Sequence, residues 1–171
     1  MRLLKPFLIT LTGLALVLLG VSALLPSRVM TSRWVMVHAD QDSVIGAVHD
    51  VATWPQWNLL MEQSTPMPVK PSYAVGDTIG WQTSGGVLGR MTVEQWNEKG
   101  LSSSFIIGDQ RALQSGFSVE KRQSDSVQVV WYLIEELKWY PWEKVYGMMA
   151  SDLKGPLMQK SLDKLKARLQ Q

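Results

Sequence analysis

The sequence predicts an α+β protein in which a long C-terminal helix covers an antiparallel sheet, preceded by one helix that spans a membrane. Three observations predict it. Residues Pro6 to Leu25 form an uncharged apolar run, apolar residues alternate with polar ones between Asp77 and Leu137, and apolar residues recur at helical spacing from Trp142 to Leu169. An antiparallel sheet has one apolar face to bury, and a long helix laid across that face buries it.

The N-terminal apolar run is long enough to cross a bilayer. At ~1.5 Å per residue, roughly 20 helical residues span the ~30 Å hydrocarbon core. Arg2 and Lys5 precede the run and favour a cytoplasmic N-terminus. We therefore expect residues 1–27 to be a single-pass membrane anchor and residues 28–171 to be one domain outside the cytoplasm, in the periplasm beside a bacterial inner membrane.

A cleaved signal peptide is the alternative for the same segment. Val21-Ser22-Ala23 would serve as a cleavage site, but Leu24 and Leu25 are unfavourable residues directly after such a site. The apolar region of a signal peptide is usually only ~7–15 residues long, shorter than this run. The length favours a retained anchor, and the sequence leaves cleavage open.

The composition excludes several classes of function. The chain has no cysteine, which excludes disulfides, thiolate catalysis and cysteine metal sites. The net charge of +2 comes from Arg2 and Lys5, so the domain is neutral and has no basic stripe for nucleic acid. The two histidines, His38 and His49, do not have the spacing of metal ligands. We expect no nucleic-acid partner, no metal and no cofactor.

Before the alternating region the chain predicts one strand and one helix. Residues 33–39 are rich in strand formers. Residues 40–43 supply helix-capping side chains, and residues 42–51 carry apolar residues at helical spacing. Trp54-Pro55-Gln56-Trp57 ends that helix, because a proline disfavours the helical conformation of the residue before it. Residues 64–72 hold Pro66, Pro68 and Pro71 and predict a loop.

The alternating region predicts five strands joined by short turns, one of them at Ser84-Gly85-Gly86. Strands connected this tightly are neighbours in an antiparallel meander. A long amphipathic helix follows from Trp142, with a kink expected at Gly155-Pro156. The predicted strands are residues 77–83, 87–96, 101–107, 112–121 and 127–137.

This order of elements, the piece from Val51 to Trp57, and the ending from Pro141 to Pro156 followed by Leu162 to Lys166 resemble the polyketide cyclase/dehydrase branch of the START-like superfamily, also called SRPBCC. The resemblance covers roughly residues 30–170. It implies a helix-grip fold, in which a curved antiparallel sheet wraps the long C-terminal helix around a deep apolar pocket. Members bind lipids, sterols, polyketides or other hydrophobic molecules, and a minority catalyse reactions in that pocket.

The alternation also predicts which residues line such a pocket. The strand candidates on one face are Ile79, Trp81, Met91, Val93, Phe105, Phe117, Val129 and Trp131. The helix candidates are Val145, Met148, Met149 and Asp152. In a pocket, Asp152 would serve as a polar anchor or a general acid. The same apolar residues also suit an ordinary filled core, with Asp152 facing solvent or paired with a lysine.

Three functions are consistent with these residues. The first is a membrane-anchored binding protein for a lipid or another hydrophobic small molecule. The second is a cyclase, dehydratase or hydrolase that uses Asp152, Tyr132, Tyr146 or a histidine, although we assign no catalytic residue and no G-x-S-x-G motif occurs. The third is an envelope protein-interaction module that uses exposed tryptophans, which a large exposed apolar patch would favour. The sequence favours the first and leans against an enzyme.

Overall fold

The computed structural model describes residues 4–67, 70, 72–83, 85–123 and 125–170. Arg2, Pro68, Pro71 and Ser84, which the sequence analysis used, lie outside the described residues. The elements in chain order are α1 (Leu4–Leu24), β1 (Arg28–Val37), α2 (Gln41–His49), a 3₁₀ turn (Val51–Thr53), α3 (Trp54–Trp57), β2 (Thr78–Gln82), β3 (Leu88–Asn97), β4 (Gly100–Ile107), β5 (Leu113–Gln123), β6 (Ser126–Glu136) and α4 (Pro141–Leu169).

The strands form one curved antiparallel sheet in the order β1-β6-β5-β4-β3-β2. The meander predicted for β2 to β6 is present, and β1 adds to it by pairing with β6. With the long helix α4 over one face, this confirms the predicted α+β class and its curved sheet covered by a C-terminal helix.

Strand β1 begins earlier than the sequence predicts. It starts at Arg28, not at Arg33, because the segment that includes polar Thr31 and Ser32 pairs along the far half of β6, from Arg28 opposite Glu136 onward. Partners distant in the chain decide this strand end, and local composition does not report them.

The first helix of the domain is capped as predicted but ends sooner. Asp40 accepts a hydrogen bond through its side chain from the Asp42 backbone N–H at 3.1 Å, which satisfies one free donor of the first turn. The helix ends at His49, and the 3₁₀ turn and the four-residue helix α3 follow. Trp54 then donates from its indole nitrogen to the Val48 carbonyl at 2.9 Å, which fixes α3 against α2.

The core lies between the concave face of the sheet and the helices. Met158, Leu162 and Leu165 of α4 are fully buried in it, together with Val44 and Val48 of α2. Helix α4 is continuous through Pro156, so the expected kink at that residue stays a prediction. The second half of α4 therefore packs into the core as an ordinary amphipathic helix.

Helix α1 stands apart from this core. Among the described residues, one helix, Lys5–Leu24, is long and apolar enough to cross a membrane, and nearly all of its side chains are exposed. Exposed apolar residues on every side of a helix are typical of a segment that is surrounded by lipid.

A compact joint connects α1 to the start of α4. Ser22 donates from its hydroxyl to the Trp139 carbonyl at 2.5 Å. The buried ammonium of Lys144 donates to three oxygens of the connecting segment, namely Leu25 O at 3.4 Å, Pro26 O at 3.1 Å and Ser27 Oγ at 2.7 Å. We call Lys144 and residues 25–27 the joint.

Candidate functional site

The concave face of the sheet holds the candidate site. All the strand residues predicted for the pocket are buried, and the pairing register places them on one face: Ile79 lies opposite Met91, Met91 opposite Phe105, and Phe117 opposite Trp131. The bulges that follow Val93 and Lys121 come after these positions on their strands, so the alternation is kept.

An aromatic cluster occupies much of the space beneath α3. The Phe117 ring stacks on Trp131 with centroids 5.2 Å apart. Its other contacts are edge-on, to Trp54 at 5.5 Å and to Trp57 at 5.7 Å. Offset and edge-on contacts of this kind are favourable for aromatic rings, so the cluster is a well-packed wall of the site.

A small cavity remains beside this cluster. Its volume is about 20 Å³, room for roughly one water molecule. The residues that line it come from five strands, α3 and the segment after α3: Trp54, Asn58, Leu60, Met61, Trp81, Met91, Ser103, Phe105, Ser115 and Trp131. Of the predicted strand residues, Trp81, Met91, Phe105 and Trp131 thus line the cavity directly, and Ile79, Val93, Phe117 and Val129 are buried in the same core.

Two buried indole donors at this face are unpaired. Trp131 donates from its indole nitrogen to Ser115 Oγ at 2.9 Å. The indole nitrogens of Trp57 and Trp81, in contrast, have no acceptor among the described residues. A buried donor without a partner costs free energy, and Trp81 lines the cavity, so its indole nitrogen is placed to donate to an oxygen there.

The prediction for the helix side of the pocket is wrong. Val145, Met148, Met149 and Asp152 lie on the exposed side of α4 and do not reach the strand residues. The spacing of apolar residues defines a side of a helix, but it does not say whether that side meets the core or another medium.

The first half of α4 faces β1 with small residues. Arg33 of β1 reaches across to this half, where its Nη2 donates to Ser151 O at 3.2 Å and to Ser151 Oγ at 3.3 Å. A Cβ added at Gly155 would lie 2.0 Å from the same nitrogen. The close approach of Arg33 needs small residues here, and the larger apolar ones are therefore turned outward.

A second concave feature lies at the end of β6 beside the start of α4. This groove has a volume of about 580 Å³ and is lined by residues of the β4–β5 turn, the end of β6 and the first half of α4. Buried Glu135 lies at its centre, with Lys154 Nζ 2.5 Å from Oε1 and the Tyr146 hydroxyl 3.3 Å from Oε2. Tyr146 is a candidate from the sequence, but the cluster is not predictable there, because its members come together only when α4 packs on the sheet.

An ion pair closes the rim of the groove. Arg111 donates to the Glu143 carboxylate and also to the Glu136 carbonyl. The hydrogen bond from Arg111 lowers the pKa of Glu143 below its ordinary value and, reciprocally, raises the pKa of Arg111.

The groove and the cavity are successive stretches of one concave face. Leu113 and Glu135 line the groove, and Ser115 and Trp131 line the cavity farther along the same two strands. Leu133, opposite Ser115, is buried between the two stretches. The charged groove and the aromatic interior therefore lie side by side on one face of β5 and β6.

The remaining titratable candidates have other surroundings. His38 is exposed, and His49 stacks on Trp96 with ring centroids 4.2 Å apart. Tyr132 packs over Gly116, which places its hydroxyl away from the cavity-lining residues. In the part of the chain that the structure describes, no group of three or more His, Asp or Glu side chains is arranged to hold a metal ion.

Solved structures share this architecture. A START superfamily protein from Mycobacterium smegmatis superimposes with a TM-score of 0.63 at 21% identity, covering 83% of this chain and 97% of its own. A protein from Thermobifida fusca gives 0.62 at 17% identity, covering 82% of this chain and 92% of its own. DynU16, from the dynemicin biosynthetic locus, gives 0.61 at 16% identity over 82% of this chain, which spans about half (47%) of the length of DynU16.

These likenesses show a START-like fold and confirm the helix-grip architecture expected from the resemblance. No protein-family model matches the chain, and no curated protein matches it in sequence.

Proposed function

We propose that this START-like chain is a membrane-anchored binding protein for a lipid or another hydrophobic small molecule, held between the sheet and the C-terminal helix. One observation supports this above the others: the concave face has a lining that is largely apolar, and the indole N–H of Trp81 is buried there without an acceptor. A few well-placed polar groups in an apolar lining are typical of small-molecule sites.

Binding requires the cavity to open. At about 20 Å³ it is far smaller than a lipid chain, so a ligand must displace side chains that close it. Leu60 and Met61 are the residues to move, because they belong to the irregular segment after α3 and not to the sheet. A ligand with an apolar body and one polar end suits this site, with an oxygen of the polar end accepting from the Trp81 indole N–H.

The anchor, the domain division at residue 27 and the periplasmic location belong to the same proposal. They are supported by the length and exposed apolar surface of α1, with Lys5 at its start. Tethering would keep the domain beside a source of hydrophobic ligands. Membership of the polyketide cyclase/dehydrase branch is likewise proposed and is supported by the START-like fold.

Photo-crosslinking of the full chain tests the binding site. The probe is palmitic acid with a diazirine in its chain, added to the protein in vesicles, and labelled peptides are mapped by mass spectrometry. We expect labels in residues 54–61 and 103–105. Ser103→Phe fills the cavity and lowers this labelling roughly tenfold or more, the factor that about 1.4 kcal/mol represents.

The matched control is Ser104→Phe, which adds the same ring to the opposite face of β4. Labels on α1 report lipid contact in every variant and calibrate the yield. If Ser103→Phe perturbs folding, Trp81→Phe is used instead; it keeps an aromatic ring but removes the indole donor together with part of the bicyclic ring, and unchanged labelling would contradict the role of that side chain. Labels confined to α1, or equal labelling in the two serine variants, would overturn the proposal.

An enzyme is the second candidate, of the polyketide cyclase/dehydratase or hydrolase kind. The observation that favours it is the convergence of Glu135, Lys154 and Tyr146 in the groove. It stands second because Lys154 already pairs with the carboxylate, and a general base needs free access to the proton it removes.

A further inference from the structure

The first half of α4 exposes an apolar surface that is not part of the core, and of its residues only Trp142 also lines the groove. Four large side chains form it at spacings of three and four residues, so they lie along one side of the helix. We call these residues the outer face: Trp142 (68% exposed), Val145 (53%), Met149 (52%) and Leu153 (57%). Surfaces of this kind in soluble proteins usually mark an interaction site.

The outer face begins where α1 ends. Ser22 lies in the last turn of α1, and its hydroxyl donates to the carbonyl of Trp139, two residues before α4 starts. The apolar run itself stops at Leu25, so this level of the molecule corresponds to the boundary between hydrocarbon and water. The joint then holds the first turn of α4 at that level through Lys144.

The residues at this level have the chemistry of a membrane interface. Trp139, Tyr140 and Trp142 form a contiguous aromatic group: Tyr140 stacks on Trp142 with centroids 4.9 Å apart and contacts Trp139 at the same separation. Lys138 lies 5.7 Å from the Tyr140 ring. Tryptophan, tyrosine and lysine are the residues that concentrate at the headgroup level of bilayers.

We propose that the outer face of α4 lies on the surface of the bilayer that α1 spans, so that the domain is seated on the membrane through two contacts. The inference rests on the proposed anchor. Beyond Trp142 the other three residues extend ~16 Å along the helix axis, so the first half of α4 lies flat in the interface with its apolar side toward the acyl chains. Asp152 lies at the margin of this face, where its carboxylate stays in the headgroup layer.

Single-cysteine labelling of the full chain tests this inference. The chain has no cysteine, so Met149→Cys can carry one fluorophore without competing sites. The control is Glu120→Cys, which is also exposed but lies on the face of β5 that points away from α4, next to buried Val119. Both proteins are reconstituted in phosphatidylcholine–phosphatidylglycerol vesicles with nitroxide-labelled lipids. We expect severalfold stronger quenching at position 149 than at position 120.

A third variant, Val17→Cys, separates this inference from the anchor. Strong quenching at 17 with equal quenching at 149 and 120 would overturn the contact of α4 with the membrane while leaving the anchor in place. Absence of quenching at 17 would overturn both. The same Met149→Cys protein carrying a spin label reports self-association: spin–spin broadening without lipid quenching would assign the outer face to a second copy of the chain and overturn the proposal.

Discussion

The two halves of α4 turn opposite kinds of residue toward the sheet and toward the outside. Toward the sheet, the first half presents small residues, namely Gly147, Ala150, Ser151 and Gly155. The second half presents large apolar ones, namely Met158, Leu162 and Leu165. Outward, the first half exposes tryptophan, valine, methionine and leucine, and the second half exposes mostly charged residues such as Lys160, Asp163 and Lys164.

This difference indicates that the two halves of α4 have different surroundings: the apolar residues of the second half are buried in the core, and those of the first half are exposed. The second half follows the usual rule for a helix on a soluble domain, with its apolar side in the core. In the first half the small inner residues let the helix approach β1 and Arg33, and the apolar residues point to the outside. Amphipathicity therefore locates the core along the second half only.

The largest expected effect on stability comes from truncating a buried side chain in the second half of α4, compared with an exposed one in the first half. Leu162→Ala removes a fully buried side chain and should lower the free energy of unfolding by about 2–5 kcal/mol, through lost transfer energy and a residual cavity. Met149→Ala on the exposed side should change it by less than about 0.5 kcal/mol. Chemical denaturation of the full chain in mild detergent, followed by tryptophan fluorescence, measures both. Similar losses would contradict the comparison.

A smaller loss of stability is expected where the first half of α4 packs closely against the sheet. A Cβ added at Gly147 would lie 2.2 Å from Leu137 Cδ1 and 3.1 Å from Val29 Cγ2. Gly147→Ala should therefore cost about 1–3 kcal/mol by overpacking, although alanine is the better helix former. Gly46→Ala in α2 is the control, because it meets nothing within 4 Å and should stabilise by about 0.5–1 kcal/mol. Thermal unfolding that places both variants on the same side of the wild type would refute this.

The smallest effect concerns the ion pair at the start of α4. The hydrogen bond from Arg111 lowers the pKa of Glu143 in the folded state below the ordinary value of 4.5. The stability that this pair adds is therefore present above pH 4.5 and is lost as the pH falls through the folded value. Arg111→Gln should return the pKa toward 4.5. Carbon-13 NMR titration of the carboxyl group measures the midpoint, and an unchanged midpoint would exclude Arg111 as the cause.

Much of the sheet was predictable because its strands are neighbours in the chain. Alternation gave β2 to β6 with small errors at their ends, since short turns leave few alternatives for pairing. The start of β1 was not predictable in this way. Its partner β6 lies about a hundred residues away in the chain, and the polar pair Thr31 and Ser32 does not indicate a strand by itself.

The site was predictable where the alternation of a strand decides it, as at Trp81, Met91 and Trp131. The prediction failed at Val145 and Met149, because helical spacing does not say whether an apolar side of a helix is buried or exposed. The groove around Glu135 was missed for a third reason. Its charged groups come from β6 and from two turns of α4, and they meet only after the helix packs on the sheet.

The joint around Lys144 fixes the orientation of α1 relative to α4 through hydrogen bonds within the chain. An ammonium group has three N–H donors, and here all three have oxygen partners in residues 25–27. The Leu137 backbone N–H adds a fourth bond, to Ser27 O at 2.7 Å. These bonds make the segment between α1 and β1 rigid, so α1 has little freedom to rotate relative to α4. A turn or an axial shift of α1 would be passed directly to α4, so motion in one element is mechanically coupled to the element that covers the sheet.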